Sequence, residues 1–373
     1  MKKTLFILLK AIGILLLLLA ISIWAFLNFH PTFGDVANSE SLSKFQLSEN
    51  YDGEVFKNLI PTNIDTRDPQ TSESMVTSIF KMISPEPGKI PNTVLPSIKF
   101  KKRDLTNNSF AWLGHSTIVM NVDNLVIITD PVLYNASPVP GTVAPFAIEH
   151  TITANDLPDK IDVVLISHDH YDHLDYQAIQ ELEPRINFFY VPLGIKAHLL
   201  KWGVPNTKIK EKDWEDTITH KQVTFTMTPA RHFSGRGLNN RFSTLWCSWV
   251  IESNDLSIFF NGDSGYFEEY KKIGKEHGPF DISFMENGAY DKNWAEIHML
   301  PEQSVQASID LNSNLMFPIH WGKFDLANHT WKDPIIRASN ETEVKNVNIA
   351  TPLIGEIFTL NNIPHKKWWQ SLN

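Results

Sequence analysis

His168, His170, Asp172 and His173 lie in one short run, HDHYDH, which puts four metal-ligand side chains into six positions. Imidazole nitrogen and carboxylate oxygen together suit zinc or a similar transition metal. His168 and His170 are two apart, so an extended or tightly turned backbone can point both rings the same way. Asp172 and His173 can then serve a second ion beside the first. A solvated loop that merely collects histidines is the bland alternative, and the density of ligands argues against it. Immediately upstream, Ile161 to Ile166 is a run of β-branched and leucine residues broken only by Asp162. Such a run reads as a short strand buried on both faces, so the ligands stand at its carboxyl end.

Three further residues occupy the same kind of place. His232 follows VTFTMTPA, Asp263 follows SIFF, and His320 follows LMFPI. In α/β sheets, sites form in the crevice beyond the carboxyl ends of strands. Four strand ends would therefore deliver ligands to one edge. The elements around them read consistently. SFAWLGHSTIVMNV and LVIITDPVL are strand-like and join at Asp123-Asn124, a hairpin signal. Tyr176 to Leu182 and Ile195 to Trp202 read as short helices around the strand NFFYVPL. TLWCSWVIES and LSIFFNGDSGY form a strand pair joined near Asn254-Asp255. YFEEYKKIGKEHG is an amphipathic helix ended by Gly278, and PEQSVQASIDL a helix opened by Pro301. DISFMENGAY and NLMFPIHWGKF complete the core. Strand pairs followed by alternating strands and helices predict an α/β sandwich of two sheets flanked by helices.

The chain has 373 residues, 42% of them hydrophobic, which is ample for a packed core. A formal charge of −9 argues against a nucleic-acid partner, which would meet a basic face. The one cysteine, Cys247, excludes a disulfide framework and a cysteine-rich zinc site. It lies in an apolar strand and reads as inert core. Residues 4–27 are apolar except for Lys10, a length that matches a bilayer core. Lys2 and Lys3 precede them and no basic cluster follows, which places the N-terminus in the cytoplasm and the main domain across the membrane. No small-x-small cleavage site follows, so an uncleaved single-pass anchor is favoured over a signal peptide. The resulting division is an anchor at 1–28, an extended arm packed on the core at 29–105, and the main domain at 106–373.

The form His-x-His-x-Asp-His, followed in order by His232, Asp263 and His320, resembles the metallo-β-lactamase-fold hydrolases over roughly residues 105–360. The words AWLGHST, ITDPV, TPARHFSGRG, GDSGY, IHMLPEQ and PIHWGKF look like the branch containing N-acylphosphatidylethanolamine-hydrolysing phospholipase D. The resemblance implies an αββα sandwich of two mixed sheets with the site at one edge. It assigns the first ion to His168, His170 and His232, the second to Asp172, His173 and His320, and the bridge to Asp263. The ions implied are two Zn2+, with iron or manganese as alternatives. Two ions lower the pKa of a shared water, making hydroxide available near neutral pH. The reaction implied is hydrolysis of a phospholipid phosphodiester, with Asp172 and His298 as catalytic residues and Tyr171 and His298 binding substrate. Class B β-lactamases often carry cysteine where this chain has Asp263, which weighs against lactam hydrolysis. A lactonase or other ester hydrolase of the same fold is the first alternative. A non-catalytic metal-binding envelope protein is a distant one, and a homodimer is an admissible assembly.

Other residues carry balanced readings. His115 reads as structural, capping the hairpin, or as an outer partner of the site. Asp130 either steadies a turn before Pro131 or orients a ligating histidine. Arg231 and Arg236 flank His232, where they could meet a phosphate, but surface salt bridges are their commoner fate. Trp321, Phe324, Trp331, Trp368 and Trp369 could rim a lipid-facing mouth. Core is the stronger expectation for most of them, with the final pair as a tail contact.

Overall fold

Asp123 and Asn124 both adopt positive φ, 48° and 61°, the left-handed pair that a two-residue hairpin turn requires. That turn starts the first sheet in the computed structural model, which describes residues 2–67 and 87–372. Strands β1 (Ser109–Trp112), β2 (Ile118–Val122) and β3 (Leu125–Thr129) form an antiparallel meander. The sheet then continues in parallel through β4 (Ile161–Leu165), β5 (Ile186–Pro192) and β6 (Ile209–Lys212). The second sheet runs antiparallel through β7 (Thr217–His220), β8 (Val223–Thr228), β9 (Ser248–Glu252) and β10 (Ser257–Phe260). It finishes in parallel with β11 (Ile282–Glu286) and β12 (Met316–Ile319). A last strand, β13 (Ile357–Thr359), returns to pair antiparallel with β1, giving among the described residues seven strands in the first sheet and six in the second.

Parallel neighbours need a crossover, and those crossovers supply the outer layers. Two helices of the N-terminal segment, α1 (Lys2–Phe29) and α2 (Ser39–Phe45), come first; α3 (Tyr176–Leu182) then joins β4 to β5 and α4 (Ile195–Lys201) joins β5 to β6. On the other side, α5 (Glu269–His277) and α6 (Pro301–Asp310) link β10, β11 and β12, and α7 (Asp333–Lys345) follows. The result is the αββα sandwich expected. Aromatic rings interlock the two sheets: Phe110 of β1 meets Phe284 of β11 at 5.9 Å, and Trp112 meets Phe317 of β12 at 6.1 Å. Burying one such ring contributes roughly 1.5–3 kcal/mol. Outside the second sheet, Tyr270, Ile273, Val305 and Leu311 of the helices cover Phe259, Met285 and Met316.

The C-terminal aromatics correct one expectation. Trp368 and Trp369 are not a tail contact, being 3% and 0% exposed. Trp368 stacks on Trp321 at 5.4 Å, and the chain end is thereby clamped to the core. Trp331 and Phe324 are buried as well, so these rings form no lipid-facing rim. Cys247 is buried and free.

At the other end, α1 (Lys2–Phe29) stands clear of the core. Its span Lys3–Phe29, of mean hydropathy 2.8, is long and apolar enough to cross a bilayer. After α2 (Ser39–Phe45) the chain lies along the domain, with Phe56 N–H donating to Phe242 O at 3.0 Å and Thr66 N–H to Asn293 O at 2.7 Å.

Candidate metal centre

The four strand ends do converge. β4 delivers the loop from His168 to His173, β8 leads to His232, β10 to Asp263, and β12 to His320. His170 Nδ1 lies 2.9 Å from His168 Nε2 and 3.3 Å from His232 Nε2. Asp263 Oδ2 approaches the same group, 3.8 Å from His168 Nε2 and 3.7 Å from His232 Nε2. Beside it, His173 Nε2 and His320 Nε2 are 3.2 Å apart. Asp172 Oδ2 lies 3.3 Å from His320 Nε2. The other oxygen of Asp263, Oδ1, is 3.1 Å from both His173 Nε2 and His320 Nε2. One carboxylate thus faces two histidine groups, one oxygen to each. In each group the ligand atoms lie within 4.8 Å of one another.

These residues fit a pair of cations on their own chemistry. His173 Nδ1 is 2.7 Å from Asp130 Oδ2, and His232 Nδ1 is 2.9 Å from the Ile297 carbonyl. Each bond places the proton on Nδ1 and leaves Nε2 with a lone pair aimed inward. Asp263 Oδ1 is buried without a hydrogen-bond partner among the described residues, which is costly unless something else binds it. Burial holds His168 and His232 well below the ordinary imidazole range, so both are neutral donors of electron pairs. At His173 and His320 burial pushes the same way, but Asp263 and Asp172 more than offset it. His173 rises well above its ordinary range and His320 to about 10. The second group therefore calls for positive charge, which a divalent ion would supply in place of protons.

The surrounding residues settle several balanced readings. Asp130 accepts from Ser167 N–H at 2.7 Å, from Ser167 Oγ at 2.6 Å and from His173, so it orients the site. His115 is not a hairpin cap. Its Nε2 lies 3.1 Å from Asp172 Oδ2, and its ring is 4.0 Å from that of His320. Arg231 pairs with Glu296 at 2.8 Å and spends its other donors on Thr62, Tyr266 and Pro61. Among the described residues Arg236 makes no surface salt bridge: it is 2% exposed and spends its donors on backbone carbonyls. The Tyr171 ring lies 4.2 Å from that guanidinium and lines a cavity of about 440 Å³ with His30, Thr32 and Arg236.

Sequence reasoning missed Glu286. It closes β11, is 0% exposed, and takes the Met299 N–H on Oε2 at 3.0 Å. Its Oε1 lies 3.2 Å from His298 Nδ1, and burial raises its carboxyl. His298 Nδ1 is in turn 4.0 Å from Asp263 Oδ2, on the side of the site that stays partly open. The available signal was a carboxylate ending the apolar run ISFME. Such a group is expensive to bury unless it is bound.

Comparison with known proteins agrees with this geometry. A family described as "Beta-lactamase superfamily domain" matches residues 127–321, a stretch that holds all seven proposed ligands. The chain belongs to the metallo-β-lactamase superfamily. Within the superfamily it is similar to an uncharacterised protein of Mycobacterium tuberculosis, 34% identical over 363 residues, which covers 94% of this chain and 96% of that protein. It is also similar to N-acyl-phosphatidylethanolamine-hydrolyzing phospholipase D 1 of Caenorhabditis elegans, 29% identical over 76% of this chain and 87% of that enzyme. Igni18, a metallo hydrolase from Ignicoccus hospitalis, shares the superfamily fold with a TM-score of 0.50 at 20% identity, covering 67% of this chain and 97% of that one.

Proposed function

We propose that this protein is a membrane-anchored metallohydrolase of the phospholipase D type, acting on the phosphodiester of N-acylphosphatidylethanolamine-like lipids. The observation that carries the hydrolase reading is Asp263, with one oxygen toward each of two histidine groups. The lipid substrate is supported by the likeness to the nematode phospholipase and by α1. In this reading residues 1–28 are the anchor, 29–105 the arm and 106–373 the catalytic domain, on the side of the bilayer away from Lys2 and Lys3.

Two divalent ions, zinc or alternatively iron or manganese, supply an acidified water and neutralise charge on the phosphoryl oxygens. His168, His170 and His232 would hold one, Asp172, His173 and His320 the other, with Asp263 between them. The rest of the chemistry belongs to side chains. Asp172, held by His115, presents a carboxylate on the partly open side, where it steers the attacking water. His298, held through Nδ1 by Glu286, has Nε2 free to protonate the departing oxygen. Water adds to phosphorus, the P–O bond to the N-acylethanolamine breaks, and phosphatidic acid remains. Tyr171 would contact the lipid from its cavity.

The test is a substrate panel on the full chain in mixed micelles: N-acylphosphatidylethanolamine, a chromogenic phosphodiester, a lactone and a lactam. Chelator-sensitive release of phosphatidic acid is expected. Lactone turnover with no phosphodiester cleavage would replace this reading with the lactonase one.

A further inference from the structure

The strap Pro31–Asp35 leaves α1 and is bonded along its length to the domain. Trp202 Nε1 donates to Pro31 O at 2.6 Å, and Lys201 Nζ to Gly34 O at 2.6 Å. Arg236 donates to Thr32 O from both Nε and Nη2, at 2.9 and 2.8 Å. Asp35 N–H donates to His198 Nδ1 at 3.0 Å. Gly34 has φ +68°, and a Cβ there would fall 2.1 Å from His198 Nδ1. This closeness of fit is reserved for glycine.

Two of these contacts continue into the metal loop. The remaining nitrogen of Arg236, Nη1, donates to the carbonyls of Asp169 at 2.6 Å and Leu174 at 2.8 Å. One guanidinium therefore ties the strap to both ends of the loop that carries His170, Asp172 and His173. His198 accepts from Asp35 on Nδ1, so its proton sits on Nε2 and points to Asp169 Oδ2, 3.3 Å away. Asp169 lies between His168 and His170, and its other oxygen takes the Gly235 N–H at 2.7 Å. Asp169, His198 and Arg236 are all nearly sealed from water, at 0%, 1% and 2% exposure. If the strap leaves, Arg236 loses the acceptor of two of its donors and water reaches the guanidinium. The fork that spans the Asp169 and Leu174 carbonyls is then held from the loop side alone, and a charge-assisted bond lost there costs the loop part of its fixed geometry.

We propose that the strap following the apolar helix is a brace of the metal centre, with Arg236 and His198 as positioning residues that carry its docking to Asp169 and so hold His168 and His170 in ligating geometry. The brace needs the metal centre but not the phospholipase reading, and its test uses no lipid. By thermodynamic linkage the coupling runs both ways. A docked strap tightens metal binding, and bound metal tightens the strap.

The experiment uses the full chain in detergent micelles loaded with zinc. Gly34→Val pushes the strap off His198 without touching a ligand, and Arg236→Gln removes the guanidinium. Arg236→Lys keeps the charge without the fork, and Leu15→Ala in α1 is the control. Zinc retention is titrated with a competing chelator, and metal-free melting is recorded alongside. Gly34→Val and Arg236→Gln are expected to release zinc at about tenfold lower chelator, as for lost outer-shell support. Arg236→Lys should fall between and Leu15→Ala should match the parent. Wild-type retention in Gly34→Val, with limited proteolysis showing the strap released, would overturn the proposal. Should the variants not fold, the parent chain decides through proteolysis of the strap with and without zinc. Slower cutting with zinc is the expected result, and equal cutting refutes the brace.

Discussion

Replacing Asp130 by asparagine tests how the site is held from outside the ligand set. The carboxylate collects three donors: Ser167 N–H on Oδ1, and Ser167 Oγ and His173 Nδ1 on Oδ2. Asparagine can keep its oxygen on the Ser167 N–H, but its NH2 group then faces His173. The Ser167 hydroxyl can rotate and accept instead. His173 can respond only by moving its proton to Nε2, the atom that must give its lone pair to an ion. The loss of one charge-assisted bond and the clash of two donors should cost about 2–4 kcal/mol of folding stability. The tautomer change should weaken the second ion's binding about 10- to 100-fold, or roughly 1.4–2.8 kcal/mol. The assay is metal content per chain after equilibration against a graded chelator, with melting of the metal-free protein measured in parallel. Asp130→Asn should lose one ion well before the other, the one beside Asp172 and His320. If it keeps both ions with the parent's affinity, the claim that Asp130 sets the His173 tautomer is wrong.

The remaining predictions concern groups around the site. Glu286→Gln leaves His298 without its carboxylate, and should lower kcat about 10- to 100-fold with little change in KM, a part of the 10²–10⁴ that acid–base groups typically supply. A KM effect alone in steady-state kinetics would speak against His298 as the proton donor. Lys323 is buried with its ammonium bonded to the carbonyls of Leu113 and Val132, and burial lowers it to about 8. Unfolded, it titrates near ~10.4, so between those values the unfolded chain binds more protons and stability rises with pH, by about 3 kcal/mol in all. Lys323→Met should remove that rise from urea titrations run between pH 8 and 10.5, and an unchanged slope would refute the assignment. Gly288→Ala puts a Cβ 1.8 Å from the His320 carbonyl oxygen. It should cost about 1–3 kcal/mol and loosen the ion at His320, as read by melting and metal content.

What could be read in advance divides along a physical line. The candidate ligands announced themselves where local spacing did the work, as in HDHYDH, or where a polar residue broke out of a buried strand, as at His232, Asp263 and His320. The turn at Asp123-Asn124 was legible for the same local reason, since only certain residues accept two positive φ angles in succession. The residues that hold the ligands were harder, because their meaning lies in partners far away in the chain. Asp130 is 43 positions from His173, and nothing near it distinguishes a turn former from a carboxylate that selects a tautomer. Glu286 looked like the end of a strand until its depth was known. Arg236 is the sharpest case. Arginine next to a metal ligand suggests phosphate or solvent, yet this one is buried by a strap more than 200 positions upstream, Thr32, whose irregular sequence carries no period to read. Hydrogen bonds to backbone carbonyls leave no trace in residue type, because every residue offers one. That is why candidate donors for this centre could be picked out in the sequence while the brace proposed to keep them in place could not.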